Sequence, residues 1–224
     1  MTGPHWLIFD LDGCLVDSRR PIARCMNYAL QEIGLEPEPE ARLHRWIGPP
    51  LAAAFDALLR ARGRDPGQRG QVEACIRHYR ARYRSASLEE TRAFPGIPEM
   101  LETLGQTRTL AVATSKPEAF TRPILAQLGL ARHFACVAAP PLDGTQREGK
   151  GETVAHAVER LGADPRASAM IGDRHFDMRA ARENGLLAVG VTWGIGDEAE
   201  LRQAGAQHLV ATAEALGALL GAAA

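Results

Sequence analysis

The pattern of apolar and polar positions divides the chain into two kinds of segment. The first apolar run, His5–Phe9, stops at Asp10-Leu11-Asp12-Gly13 and predicts a short buried strand that ends in an acidic loop. From Pro21 to Ile33 the period lengthens. Ile22, Met26, Ala29, Leu30 and Ile33 recur at helical spacing, and Gly34 closes the helix. Residues 41–62 and 68–84 predict further helices, with Trp46-Ile47-Gly48-Pro49-Pro50 as a breaker, and no strand is expected between 14 and 108.

After Pro95-Gly96 the pattern changes. A helix over 97–105 leads to a strand at 109–113. Thr114-Ser115-Lys116-Pro117 then opens a helix to Leu128, and a strand follows at 134–138. Lys150–Leu161 is a helix with Val154, Ala157, Val158 and Leu161 on one face. Strands at 168–171, 187–191 and 208–210 alternate with helices through Met178–Asn184, over 197–204 and over 212–222. Such alternation predicts an α/β protein: a Rossmann-like parallel sheet with helices on both faces. The strand at 5–9 belongs to that sheet, because an apolar strand does not stay unpaired. Residues 1–16 and 93–224 are therefore expected to form the α/β core, and residues 17–92 an inserted all-helical domain.

Composition narrows the class. The chain has 224 residues, 46% hydrophobic and 24% charged, the balance of a folded globular protein rather than a disordered one. No apolar run approaches a membrane span, and the N-terminus lacks the basic start of a secretory signal. A net charge of −1 gives no overall drive toward nucleic acid or a lipid surface. Cys14, Cys25, Cys75 and Cys136 are far apart with no C-x-x-C pair, which predicts reduced, mostly buried thiols in a cytoplasmic protein. Only two of the 26 basic residues are lysines, Lys116 and Lys150, and the rest are arginines. A compact ammonium in an arginine-rich chain is conspicuous.

Ligands of an open parallel sheet bind at the carboxyl ends of its strands. The polar residues there are Asp10 and Asp12, Thr114 and Ser115, and Asp173 with Asp177, while Lys150 opens the helix after the strand at 134–138. Asp10 and Asp12, two apart in extended backbone, face the same side and repel unless a cation or proton intervenes. A divalent metal answers this, with Asp173 as a further ligand, and oxygen donors without His or Cys select Mg²⁺. A D-x-D is equally a common turn or cap, and an EF-hand is excluded by Cys14 and Leu15 at its fifth and sixth positions. Thr114-Ser115 before Pro117 offers hydroxyls and free N–H groups to an anion, or a simple helix cap. Lys150 is either a phosphate-binding ammonium or a solvated surface lysine, and Lys116, on the next helix, is expected to point outward. Gly144–Lys150 matches G-x-x-x-x-G-K, but Gly151 stands where a nucleotide-binding loop needs Ser or Thr, so it is set aside.

Together these segments resemble the haloacid dehalogenase superfamily of phosphohydrolases. Phe9-Asp10-Leu11-Asp12-Gly13, Thr114-Ser115, Lys150 and Gly172-Asp173-Arg174-His175-Phe176-Asp177 match its four motifs in order, and residues 17–92 match its helical cap. Ile47-Gly48-Pro49-Pro50, Phe94-Pro95-Gly96 and Gly190–Gly194 are most similar to the phosphoglycolate phosphatase-like branch. The resemblance implies a Mg²⁺-dependent phosphatase acting on a small anionic phosphate ester. Asp10 would be the nucleophile that forms an aspartyl-phosphate. Asp12 would be the acid and then the base. Asp10, the Asp12 carbonyl and Asp173 would hold the metal, with Asp177 behind them orienting Lys150 or metal-bound water. Thr114, Ser115, Lys150 and the N–H groups of the Gly13 loop would bind phosphoryl oxygens. Cys14, where Thr or Val is common, and the third motif Lys-Gly-Glu, where Lys-Pro is frequent, are departures.

Asp12 separates this chain from dehalogenases and phosphonate hydrolases of the same fold, which lack the second aspartate. Alternatives are a 5'-nucleotidase, a sugar phosphomutase, or a non-catalytic phospho-acceptor such as a receiver domain. The mutase reading is weakened because Asp17–Arg24 contains no His. The receiver reading is weakened by the long helical insertion. Residues 41–92 carry eleven arginines and five acidic residues, a net +6 that leaves −7 elsewhere. Such a surface attracts anions or is simply solvated. Arg45 and Trp46, beside the breaker, are candidates for substrate contact. A monomer or homodimer, with no nucleic-acid or membrane partner, is expected.

Overall fold

The computed structural model of the protein describes residues 3–65, 70–142 and 149–221. In chain order the elements are β1 (Trp6–Phe9), β2 (Val16–Asp17), α1 (Arg19–Glu32), α2 (Glu40–Leu43), α3 (Leu51–Arg60), α4 (Gln71–Glu90) and β3 (Arg92–Ala93). Then follow α5 (Ile97–Leu104), β4 (Thr109–Ala113), α6 (Glu118–Gln127), β5 (Phe134–Ala138), α7 (Lys150–Leu161) and β6 (Ser168–Gly172). The chain closes with α8 (His175–Glu183), β7 (Leu187–Val191), α9 (Glu198–Ala204), β8 (His208–Val210) and α10 (Ala213–Gly221). It divides into two compact units, Met1–Asp17 with Arg92–Ala224, and Ser18–Thr91.

The first unit holds a six-stranded sheet in the order β5-β4-β1-β6-β7-β8, with every pairing parallel. The apolar run Trp6–Phe9 sits at its centre, and Ile8 pairs with Ala111 on one side and Met170 on the other. Leu7, Ile8 and Phe9 are fully buried, so successive residues are covered on opposite faces of the sheet. Each side chain of that size contributes roughly 1.5–3 kcal/mol on burial. One face packs Ile8, Ala111, Ala113, Met170 and Ala188 against Val154 and Ala157 of α7, Met178 of α8 and Leu201 of α9. The chain runs from β1 outward through β4 to β5, then crosses back to β6 and continues to β8. The reversal beside β1 leaves a crevice at the strand carboxyl ends, where loops diverge.

One expectation fails in this unit. Val16–Asp17 and Arg92–Ala93 form a two-stranded antiparallel ribbon, although no strand was expected between 14 and 108. Two-residue strands are too short to show a period, and their pairing joins positions far apart in sequence.

The second unit is all-helical. In α1 the buried residues Ile22, Met26, Ala29 and Leu30 form one stripe, and Gly34 at φ +75° turns the chain out of the helix. The stretch 41–62 is broken where the Ile47–Pro50 sequence demands it: α2, a 3₁₀ turn at His44–Trp46, then α3 from Leu51. Tyr79 and Tyr83 of α4 stack with ring centroids 5.1 Å apart, and Phe55 of α3 meets Tyr79 edge-on at 6.2 Å.

Candidate active site

Three strand ends and one helix start bring the predicted residues together. Asp10 leaves β1 with its backbone N–H bonded to the Ile171 carbonyl of β6, so the nucleophile candidate is fixed by the sheet itself. The loop turns at Gly13, with φ +88°. A Cβ there would lie 2.2 Å from Asp173 Oδ2, so both the backbone angle and the close approach of Asp173 require glycine. Asp173 follows β6. The Thr192–Gly196 loop after β7 closes over it: Ile195 N–H donates to Asp173 Oδ2 at 2.7 Å, and Gly196 N–H to the Asp173 carbonyl at 3.2 Å. Trp193 in that loop donates its indole N–H to the Cys14 carbonyl at 3.0 Å and so ties it to the β1 loop.

The charges are arranged in two sets. In the first, ligand atoms of Asp10, Asp173 and Asp177 lie within 4.8 Å of one another, and all three residues are buried. Lys150 Nζ sits 2.6 Å from Asp10 Oδ1 and 2.8 Å from Asp177 Oδ1, with 7% of its side chain exposed. Asp177 Oδ2 accepts the Arg174 N–H at the start of α8. In the second set Lys116 Nζ lies 3.0 Å from Asp12 Oδ2. The expectation that Lys116 points outward is therefore wrong: the residue is 8% exposed. It precedes α6 instead of lying on it, and its backbone N–H bonds to Thr114 Oγ1, which keeps it in the strand-end loop facing the β1 turn. Each aspartate of the D-x-D thus has one of the chain's two lysines.

Three carboxyls against one ammonium make the first set electrically unbalanced. Burial, and then the neighbouring Asp177 and Asp12 charges, push the Asp10 carboxyl up to about 6 despite the opposing pull of Lys150. Asp173 is raised well above its ordinary value, first by burial and then by Asp177 and Asp10. Burial works against the Lys150 ammonium, but Asp10 and Asp177 outweigh it and hold its pKa above the usual lysine value. A divalent cation would relieve the excess. Asp173 Oδ1 is buried with no hydrogen-bond partner, the state of an oxygen suited to a hard cation. The carboxylate set therefore fits a divalent metal. Asp12's side chain lies outside that cluster, on Lys116.

Thr114 is buried at the end of β4, Ser115 is half-buried beside it, and both stand on the loop that carries Lys116. Residues 144–148 of the G-x-x-x-x-G-K stretch lie outside the described residues. Arg45 and Trp46 belong to the second unit, in the 3₁₀ turn, where Arg45 Nε donates to the Arg42 carbonyl. Sequence reasoning missed the Trp193–Gly196 loop as a support for Asp173, and it missed Glu200. From α9, Glu200 Oε1 accepts Arg174 Nε at 2.9 Å and the His175 N–H at 2.9 Å, and meets His175 Nδ1 at 2.6 Å, pinning the turn after Asp173. Burial raises the Glu200 carboxyl, but these donors more than reverse it, and the net shift is downward. The Gly-rich stretch after β7 was the available signal for the loop. Glu200 left none, because its partners Arg174 and His175 lie 26 and 25 positions away in the chain. The four cysteines are free and buried, as expected, and burial raises the Cys14 thiol well above its usual value.

The model of the haloacid dehalogenase-like hydrolase family matches residues 7–191. The chain is a member of that family. It is 40% identical over 96% of its length to a 5'-nucleotidase of Pseudomonas aeruginosa, covering 94% of that protein. It is 31% identical over 85% of its length to a phosphoglycolate phosphatase of Agrobacterium fabrum, covering 81% of it. A crystal structure of a predicted phosphatase from Clostridium acetobutylicum superimposes with a TM-score of 0.88 at 31% identity, covering 96% of this chain and 97% of that one. This haloacid dehalogenase-like hydrolase is accordingly a phosphatase, a phosphoric monoester hydrolase with an α/β Rossmann-like core. Among its described residues no helix is long and apolar enough to cross a membrane.

Proposed function

We propose that this phosphatase hydrolyses a small phosphate monoester through an aspartyl-phosphate on Asp10, with Mg²⁺ as its metal. The observation that carries the reading is the contact of Asp10 with Lys150 beside the orphaned oxygen of Asp173. Asp10 and Asp173, with the Asp12 carbonyl, would hold the ion, and when bound it supplies positive charge for the phosphoryl oxygens. The remaining work falls to the chain. One Asp10 oxygen attacks phosphorus while Lys150 pairs with the other, so the nucleophile keeps its orientation as its charge is spent. Asp12 protonates the leaving alcohol and later takes a proton from the attacking water. Lys150, Thr114, Ser115 and the N–H groups of the Gly13 loop stabilise the transferring phosphoryl group. Asp177 fixes Lys150. Residues 17–92 act as the cap, and Arg45 and Trp46 as its substrate contacts.

Two substrate classes lead. The Gly48-Pro49-Pro50 and Gly190–Gly194 stretches favour phosphoglycolate, and similarity over nearly the whole chain to the P. aeruginosa 5'-nucleotidase favours nucleoside monophosphates. A panel of phosphate esters with Mg²⁺, scored by phosphate release, tests both. The reading predicts kcat/KM at least tenfold above the panel median for one of the two classes, about 1.4 kcal/mol of discrimination. A flat panel would contradict a dedicated substrate of either kind.

A further inference from the structure

The Lys116–Asp12 pair is more built than a surface contact. Both side chains are nearly closed to solvent, 6% and 11% exposed, at 3.0 Å. Lys116 is also held at both backbone polar atoms. Its N–H donates to Thr114 Oγ1 at 3.2 Å, and its carbonyl accepts Thr121 Oγ1 at 3.1 Å. Pro117 follows, with φ fixed by its ring, and Glu118 N–H bonds to the Pro140 carbonyl, so the start of α6 is tied to the segment after β5. The ammonium is aimed at Asp12 by a rigid frame, in a chain that otherwise uses arginine almost throughout.

An ammonium pairs with the carboxylate form of its partner. In the proposed reaction Asp12 becomes a carboxylate at one point. Asp10 attacks phosphorus, the bond from phosphorus to the alcohol oxygen breaks, and the Asp12 proton goes to that oxygen. In the second half water attacks phosphorus, its proton goes to the Asp12 carboxylate, and the Asp10–phosphorus bond breaks to release phosphate. We propose that Lys116 is a positioning residue that holds the Asp12 carboxylate in place for this second half. The proposal rests on the reading of Asp12 as the proton carrier. A carboxylate that loses its buried ammonium loses a contact that sets its orientation, and a misplaced base forfeits most of its effect.

The test uses p-nitrophenyl phosphate, whose leaving group needs no acid, so the first half proceeds without the Asp12 proton. Lys116→Met is expected to lower kcat on the order of 10²-fold, the range of general-base assistance, with kcat/KM nearly unchanged. Nitrophenolate should appear as a burst, with phosphate held on the enzyme. Lys116→Arg, which keeps the charge, should recover part of the kcat. A parallel loss of kcat and kcat/KM without a burst, a rise in KM alone, or no change would each overturn the proposal. Should Lys116→Met fail to fold, Lys116→Gln is measured against Lys116→Arg by the same criteria. Asp12→Asn is the reference. If it shows no burst, the assignment of Asp12 as base fails; if it does and the Lys116 variants do not, only Lys116's role fails.

Discussion

The strand-end cluster of the first unit and the arginine-rich surface of the helical unit use charge in opposite ways. At the strand ends the charged groups are buried, few and mutually constrained: Lys150 between Asp10 and Asp177, Lys116 on Asp12. In the helical unit Arg60 pairs with Asp56 one turn away on the same helix, Arg42 with Glu38, and Arg24 with Glu90, with arginine side chains 49–69% exposed. Pairs of that kind contribute about 0–1 kcal/mol each, because water and salt screen them and long side chains must be ordered. Burial makes the difference. It costs so much to remove a charge from water that a buried set persists only with specific partners, and it strains those sets electrically until a substrate or metal balances them. Chemistry should concentrate where the charges are buried, and substitutions should scale accordingly.

The largest expected effect is at Asp10. Asp10→Asn should abolish phosphate release while leaving circular dichroism unchanged. Lys150→Arg comes next. A planar fork cannot touch Asp10 and Asp177 as the compact ammonium does, at 2.6 and 2.8 Å, and kcat should fall on the order of 10²–10³-fold with little change in Tm. Retained turnover in that variant would mean that charge alone, wherever it sits, suffices.

A smaller effect sharpens the point about burial. With its carboxyl pushed up to about 6, Asp10 in the metal-free protein stays protonated where the unfolded chain, at the ordinary 3.8, has lost its proton. Its contribution to stability is therefore complete below the unfolded value and is lost as pH rises through about 6. The Tm of metal-free wild type relative to Asp10→Asn should fall as pH is raised from about 4 to about 6. A saturating divalent metal should reverse the loss, by ~2.7 kcal/mol at a hundredfold excess over its Kd. A constant Tm difference across that window would show that burial leaves Asp10 unperturbed. The smallest effects belong to the helical unit. Arg60→Ala should leave kcat unchanged and cost less than ~1 kcal/mol by denaturant melts. Arg45→Ala should raise KM with kcat intact.

The same contrast governs what the sequence disclosed. Strands at 109–113, 134–138 and 187–191 were legible because burial of most of each strand writes a nearly continuous apolar run, and the acidic, hydroxyl and lysine positions followed at the strand ends. The order β5-β4-β1-β6-β7-β8 was not, since periodicity carries no information on which strand neighbours which. The Val16–Asp17 ribbon was too short for a period. Lys116 was misplaced because a residue just before a helix has no fixed direction in sequence; here two backbone hydrogen bonds set it. Glu200 and Trp193 support Asp173 and the β1 loop only through contacts between distant segments.

In the proposed mechanism the buried carboxylate of Asp10, held by Lys150, takes the phosphoryl group. Acid-quenching the enzyme during turnover and mapping phosphate by mass spectrometry tests it most directly. One base-labile phosphoryl group is expected on the peptide containing Asp10, absent from Asp10→Asn and lost on a chase with excess unlabelled substrate. Rapid phosphate release with no such adduct, and undiminished in Asp10→Asn, would contradict it.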